Sequence, residues 1–187
     1  MAFAYPPSNK FISTTVRYRA AFKSFLANPS SEQFTIRTKD EYCSAKDIVY
    51  ESLRLWPPTR RIYRQEHENG AVLAVDVEFL QRTESIWGDE AGEFRPERWV
   101  IMNGEARTSD CKEAWMPFGK GSFQCPAIKM APMMIGILVG GLIEEFGNGE
   151  WLLGDVADGL GDKQLENGRE SFAEIILTKV GKEGKKK

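Results

Sequence analysis

Apolar residues recur along the chain with a period that changes from segment to segment, and the changes mark its elements. Phe11, Val16, Tyr18, Ala21, Phe22, Phe25 and Leu26 form a helical stripe ended by Asn28-Pro29-Ser30, which predicts a helix from residue 11 to about 28. Residues 31–42 are polar and read as a loop. A second helix is expected from Cys43 to Leu55, with Ser44 as its cap and Asp47 as a capping-box-like partner. Pro57-Pro58 stops it. Ile62 to Gln65 and Ala71 to Val77 are β-rich runs flanking Glu68-Asn69-Gly70, the layout of a hairpin. From Glu84 to Gln124 the chain is rich in Gly, Pro, Trp and charge and has little periodicity.

Beyond Cys125 the apolar positions run nearly all round, from Ala127 and Ile128 through Met133 and Ile137 to Leu142 and Ile143, which predicts a buried helix. Pro132 either kinks it, at about 3 kcal/mol, or stands in its first turn. Gly136 and Gly140, four apart, suit close packing in a core. Glu174 to Val180 reads as a closing strand. The fold class is mainly α with small β elements, and there is no internal repeat.

The chain has 187 residues, 42% hydrophobic and 28% charged, which is enough for one globular domain with a real core. A net charge of -2 gives no overall attraction to nucleic acid, so no nucleic-acid partner is expected. The basic end, Gly181 to Lys187, reads as a solvated tail. Cys43, Cys111 and Cys125 supply no even disulfide framework, and their spacing with His67 fits no common zinc pattern. The first residues lack the layout of a signal peptide. No run of about twenty apolar residues exists, so no transmembrane segment is expected.

The chemistry concentrates in Phe118-Gly119-Lys120-Gly121-Ser122-Phe123-Gln124-Cys125-Pro126-Ala127. It sets one cysteine behind two glycines at the mouth of an expected helix. A thiolate is a soft metal ligand whose charge a helix start favours. Glycines let the backbone turn tightly and approach a flat partner with no Cβ in the way. The stretch is therefore a candidate site for a thiolate-ligated metal cofactor.

Two further segments precede it: Glu51-Ser52-Leu53-Arg54-Leu55-Trp56-Pro57-Pro58 and Phe94-Arg95-Pro96-Glu97-Arg98-Trp99. Taken in this order, the three resemble the E-x-x-R helix with its proline pair, the P-E-R-F/W segment and the cysteine loop of the cytochrome P-450 family. The likeness is to fungal members in particular and covers roughly residues 43–180, the C-terminal part of that fold. It implies an E-x-x-R helix, a β-hairpin, a meander loop, a cysteine loop and a buried helix, with residues 1–42 a separate N-terminal helix and loop and 43–187 the haem-binding region.

The resemblance implies haem b as cofactor, with Cys125 as the axial ligand of its iron and Phe118, Gly119 and Gly121 around it. Backbone N–H groups after the two glycines would bond the sulfur. Glu51, Arg54 and Arg98 would form an architectural network that fixes the meander. Cys43 and Cys111 would be structural. The implied activity is insertion of one oxygen atom from O2 into an apolar organic substrate. Electrons would come from NADPH indirectly, through a reductase or other redox partner that meets the face bearing Lys112, Lys120 and Lys129. Thr59 to Ile62 would line the substrate cavity.

The sequence departs from the family pattern at Phe123, where Arg or His usually balances a haem propionate. Arg64, with Arg61 as the nearby alternative, would supply that cation. The threonine-bearing motif of the distal oxygen site is absent, so no catalytic residue beyond the haem ligand is expected. Full-length relatives sit on the cytoplasmic face of the endoplasmic reticulum through an anchor that these residues lack. The alternative is a truncated, non-catalytic chain that binds haem weakly or not at all.

Overall fold

The computed structural model describes residues 8–37, 43–65, 70–101, 108–146, 151–153 and 177–179. Helix α1 (Ser8–Ala27) begins three residues earlier than the apolar stripe suggests and ends where expected, with the Asn28 amide donating to the Phe25 carbonyl at 3.3 Å. Among its described side chains Tyr18, Ala21, Phe22 and Phe25 are buried, and Leu26 is half-buried.

A short helix, α2 (Ser31–Thr35), replaces the start of the expected loop. Ser30 caps it, its hydroxyl accepting from the Gln33 amide at 3.1 Å. Phe34, its one large apolar residue, packs on Phe25 with ring centroids 5.1 Å apart. Five residues are too few for periodicity to register, so a cap and one buried ring were the available clues.

Helix α3 (Ala45–Leu55) carries the expected capping box: Ser44 Oγ accepts from the Asp47 amide, and the Asp47 carboxylate accepts from the Ser44 amide at 2.9 Å. Arg37 adds two bonds to the same carboxylate, at 2.9 and 3.1 Å.

Strands β1 (Arg61–Gln65) and β2 (Val72–Asp76) pair antiparallel, Arg61 opposite Asp76 and Gln65 opposite Val72. Residues 66–69 of the expected turn lie outside the described residues. Four short helices follow: α4 (Val77–Leu80), α5 (Glu84–Trp87), α6 (Glu97–Ile101) and α7 (Thr108–Ala114). The last three lie in the aperiodic stretch and are one to two turns long, held by what they touch rather than by an amphipathic face.

Helix α8 (Ala131–Phe146) starts just before Pro132, which settles the proline in the first turn. Its buried face is Pro132, Gly136, Gly140 and Ile143, packed on α1, α2 and α3. Contrary to the expectation of full burial, Leu138 is 67% exposed and Leu142 58% exposed. The bare glycine face brings α1 close on one side, while the opposite apolar face looks away from the rest of the described residues. Strands β3 (Trp151–Leu153) and β4 (Leu177–Lys179) pair antiparallel; β4 lies within the expected closing strand, whose remaining residues lie outside the described ones.

Candidate functional site

Glu51 and Arg54 lie one helical turn apart on α3, and both side chains are fully buried. A buried ion pair persists only if its remaining donors and acceptors are satisfied. Here they are. Glu51 Oε1 accepts from Arg54 Nη2 at 2.8 Å, Arg98 Nε at 2.9 Å and the Arg95 amide at 2.9 Å. Oε2 accepts from Arg54 Nε at 2.9 Å and Trp99 Nε1 at 3.0 Å.

Arg54 gives its remaining N–H groups to the carbonyls of Gln81 and Ala91, both at 2.6 Å, and of Glu93 at 3.1 Å. Arg98 donates to the carbonyls of Trp87 at 3.1 Å, Glu90 at 3.0 Å and Glu93 at 3.3 Å. Burial pushes the Arg54 guanidinium below its ordinary value, and the Glu51 bonds push back, so it stays a cation. The aperiodic stretch is therefore folded around two arginines that collect its backbone carbonyls.

An aromatic cluster leads from this network to the cysteine loop. Trp99 meets Trp87 at 5.8 Å and Trp115 at 5.7 Å between centroids; Trp115 stacks on Tyr50 of α3 at 4.5 Å and meets Phe118 edge-on at 6.1 Å. The loop then turns twice through left-handed glycines, Gly119 at φ 71° and Gly121 at φ 70°. The Cys125 amide donates to the Phe118 carbonyl at 2.9 Å, closing the loop on itself. Cys125 is half-buried. It precedes a single 3-10 turn (Pro126–Lys129) rather than α8 itself, so the sulfur stands one turn short of the helix start the sequence led us to expect.

Phe123 is 76% exposed, and the Arg64 guanidinium lies over its ring, 4.8 Å from the centroid. Arg61 instead reaches back to Asp76 across the hairpin at 3.4 Å. Of the two arginines, Arg64 is thus the one shown against the cysteine loop. Lys120 donates to the Lys112 carbonyl at 3.2 Å and pairs with Glu113 at 2.5 Å, while Lys112 and Lys129 are exposed. Cys43 is buried, and Cys111 is buried with its thiol donating to the Ile86 carbonyl at 3.3 Å.

Among the described residues no three His, Cys, Asp or Glu side chains gather to hold a metal ion. An iron bound at Cys125 would have to bring its other ligands with it, as a porphyrin does. The loop suits such a flat partner: it offers a half-buried cysteine, an exposed Phe123 and a Gly121 with open space where a Cβ would stand, with exposed Met130 just beyond it.

The cytochrome P-450 family model matches residues 30–149. Similar proteins include the cytochrome P-450 CYP13A1 of Caenorhabditis elegans, 34% identical over 110 residues that make up 53% of this chain and 21% of the relative. Another is cytochrome P-450 71A20 of Arabidopsis thaliana, 29% identical over 110 residues, 53% of this chain and 22% of the relative. A third is the cytochrome P-450 monooxygenase cfoH of Aspergillus candidus, 29% identical over 120 residues, with the same coverage of 53% and 22%. The chain belongs to the cytochrome P-450 family, whose members carry haem iron. The match spans about a fifth of the length of these relatives.

Proposed function

We propose that residues 43–187 form the thiolate-bearing wall of a haem-thiolate monooxygenase, with Cys125 as the axial ligand and residues 1–42 contributing the N-terminal helix that supports it. The observation that carries this reading is the half-buried cysteine presented behind two left-handed glycines, with an arginine over the one aromatic side chain that departs from the family pattern. Phe118 would pack beside the cofactor from its seat on Trp115, and Gly119 and Gly121 would let the backbone approach it, their following amides facing the sulfur. Arg64 is the better candidate for balancing a propionate, since Arg61 is committed to Asp76. Haem held by the Cys125 thiolate would supply dioxygen activation, which electron donation by the sulfur would assist.

In the whole protein the activity would be insertion of one oxygen atom into an apolar organic substrate, with Thr59 to Ile62 on the cavity wall. Electrons would arrive from NADPH through a reductase, at the face where Lys112 and Lys129 are exposed. Nucleic acid is not an expected partner. No helix among the described residues is long and apolar enough to cross a membrane.

A second reading, that this chain alone is non-catalytic, is favoured by the exposed Met134, Leu138 and Leu142 on α8, an apolar face of the kind that seeks a cover. Haem titration followed by reconstitution with reductase and NADPH tests both. Tight binding that depends on Cys125, with reductase-driven consumption of O2, supports the first. Haem that washes off the chain supports the second.

A further inference from the structure

The proline pair that ends α3 creates a deficit that neither proline can meet. In a continuing helix the carbonyls of Leu53 and Arg54 would accept from the amides of residues 57 and 58. Both are proline and have no N–H. The side chain of Gln81, fully buried, supplies the two missing donors: its Nε2 donates to the Leu53 carbonyl at 3.3 Å and to the Arg54 carbonyl at 2.9 Å. Its Oε1 accepts from the Met116 amide at 2.8 Å, which fixes the orientation of the amide group. Arg54 in turn donates to the Gln81 carbonyl at 2.6 Å. Gln81 is therefore clamped to the end of α3 from both its backbone and its side chain.

The other end of the clamp is the entry to the cysteine loop. The Met116 carbonyl accepts from the Gly119 amide at 3.0 Å, forming the first turn of the loop, and the Phe118 carbonyl accepts from the Cys125 amide at 2.9 Å. A short series of hydrogen bonds thus runs from the capped end of α3, through Gln81 and Met116, to the backbone of Cys125. We propose that Gln81 is a positioning residue: it caps the proline-stopped helix and, through Met116, sets the cysteine loop relative to that helix. The Glu51 network makes no hydrogen bond to the loop and reaches it only through ring contacts of Trp99 and Trp115, whereas Gln81 ties the end of α3 to the loop entry by hydrogen bonds.

The test is native-state amide exchange and thiol labelling on the full chain, comparing wild type with Gln81→Met, a substitution of similar size that neither donates nor accepts as the amide does. Neither readout needs haem, so the outcome is independent of the cofactor reading. The expected result is that the Met116 and Gly119 amides exchange about tenfold faster while those of α8 keep their protection. Cys125 should also label several-fold faster with iodoacetamide while buried Cys43 and Cys111 stay unlabelled. Unchanged loop amides, or a loss of protection shared equally by α8, would overturn the proposal. Should Gln81→Met not fold, wild type decides. A Met116 amide as protected as those of α3 supports the clamp, and one exchanging like free peptide refutes it.

Discussion

The Nε–H of Arg98 reaches the Glu51 carboxylate at 2.9 Å across 47 positions of chain, so one buried acid on α3 fixes the direction of a segment with little regular structure of its own. Removing that acid strands two guanidinium groups. Glu51→Ala should cost about 3–5 kcal/mol, the usual price of breaking a buried pair by deleting one partner. Arg98→Ala should cost less, because Arg98 keeps some exposure, with 12% of its side chain accessible. Urea unfolding of the three chains checks the order; an equal or smaller loss for Glu51→Ala contradicts it.

Three glycines of α8 separate packing from helix propensity. A Cβ on Gly136 would stand 2.8 Å from a Phe34 ring carbon, and one on Gly140 would stand 3.1 Å from Phe22 and from Leu26. A Cβ on Gly141 meets nothing within 4 Å. Gly141→Ala should therefore stabilise by roughly 0.5–1 kcal/mol, the ordinary gain of alanine in a helix. Gly136→Ala should destabilise by about 1–3 kcal/mol, because the ring it strikes is itself packed on Phe25. Thermal unfolding reads the sign directly.

Much of this was legible in the sequence, for identifiable reasons. Ser44 and Asp47 announced α3 because a capping box is local chemistry, and Gly136 with Gly140 announced a close helix contact because their spacing is one turn. The three motifs gave the order of the site. What stayed hidden depends on distant residues. Gln81 looks ordinary in sequence, and its partner Met116 is 35 positions away; Trp99 stood within a motif, but nothing local showed that its indole would reach Glu51, 48 positions away. The exposed face of α8 was also illegible, since an all-apolar helix pattern does not say which side is covered. The proline pair did hold a clue: two helix carbonyls without donors require a donor from elsewhere.

Acid should release one tie between the N-terminal helix and α8. Arg19 donates to Glu144 at 3.1 Å, and that hydrogen bond holds the Glu144 carboxyl below its usual 4.5. A depressed carboxyl stabilises the fold above its unfolded value and loses that contribution as the pH falls through its folded value. Glu144→Gln should thus melt slightly below wild type at neutral pH, with the gap closing as the pH falls through the depressed folded value of Glu144. A gap that persists or widens in acid would show that the ion pair is not its source.

If Arg64 balances a propionate, Arg64→Ala should weaken haem binding while Arg61→Ala leaves it near wild type. Haem titrations followed by absorbance compare them. Equal losses, or a larger one for Arg61→Ala, would move the cation elsewhere.

The most direct measurement is the absorption spectrum of the haem-loaded chain, reduced under carbon monoxide, beside that of Cys125→Ala. A strongly red-shifted Soret band in wild type, absent from the variant, is the expected result for iron bound by the Cys125 sulfur. A wild-type spectrum without that band, or one the variant reproduces, would contradict ligation by Cys125 in this chain.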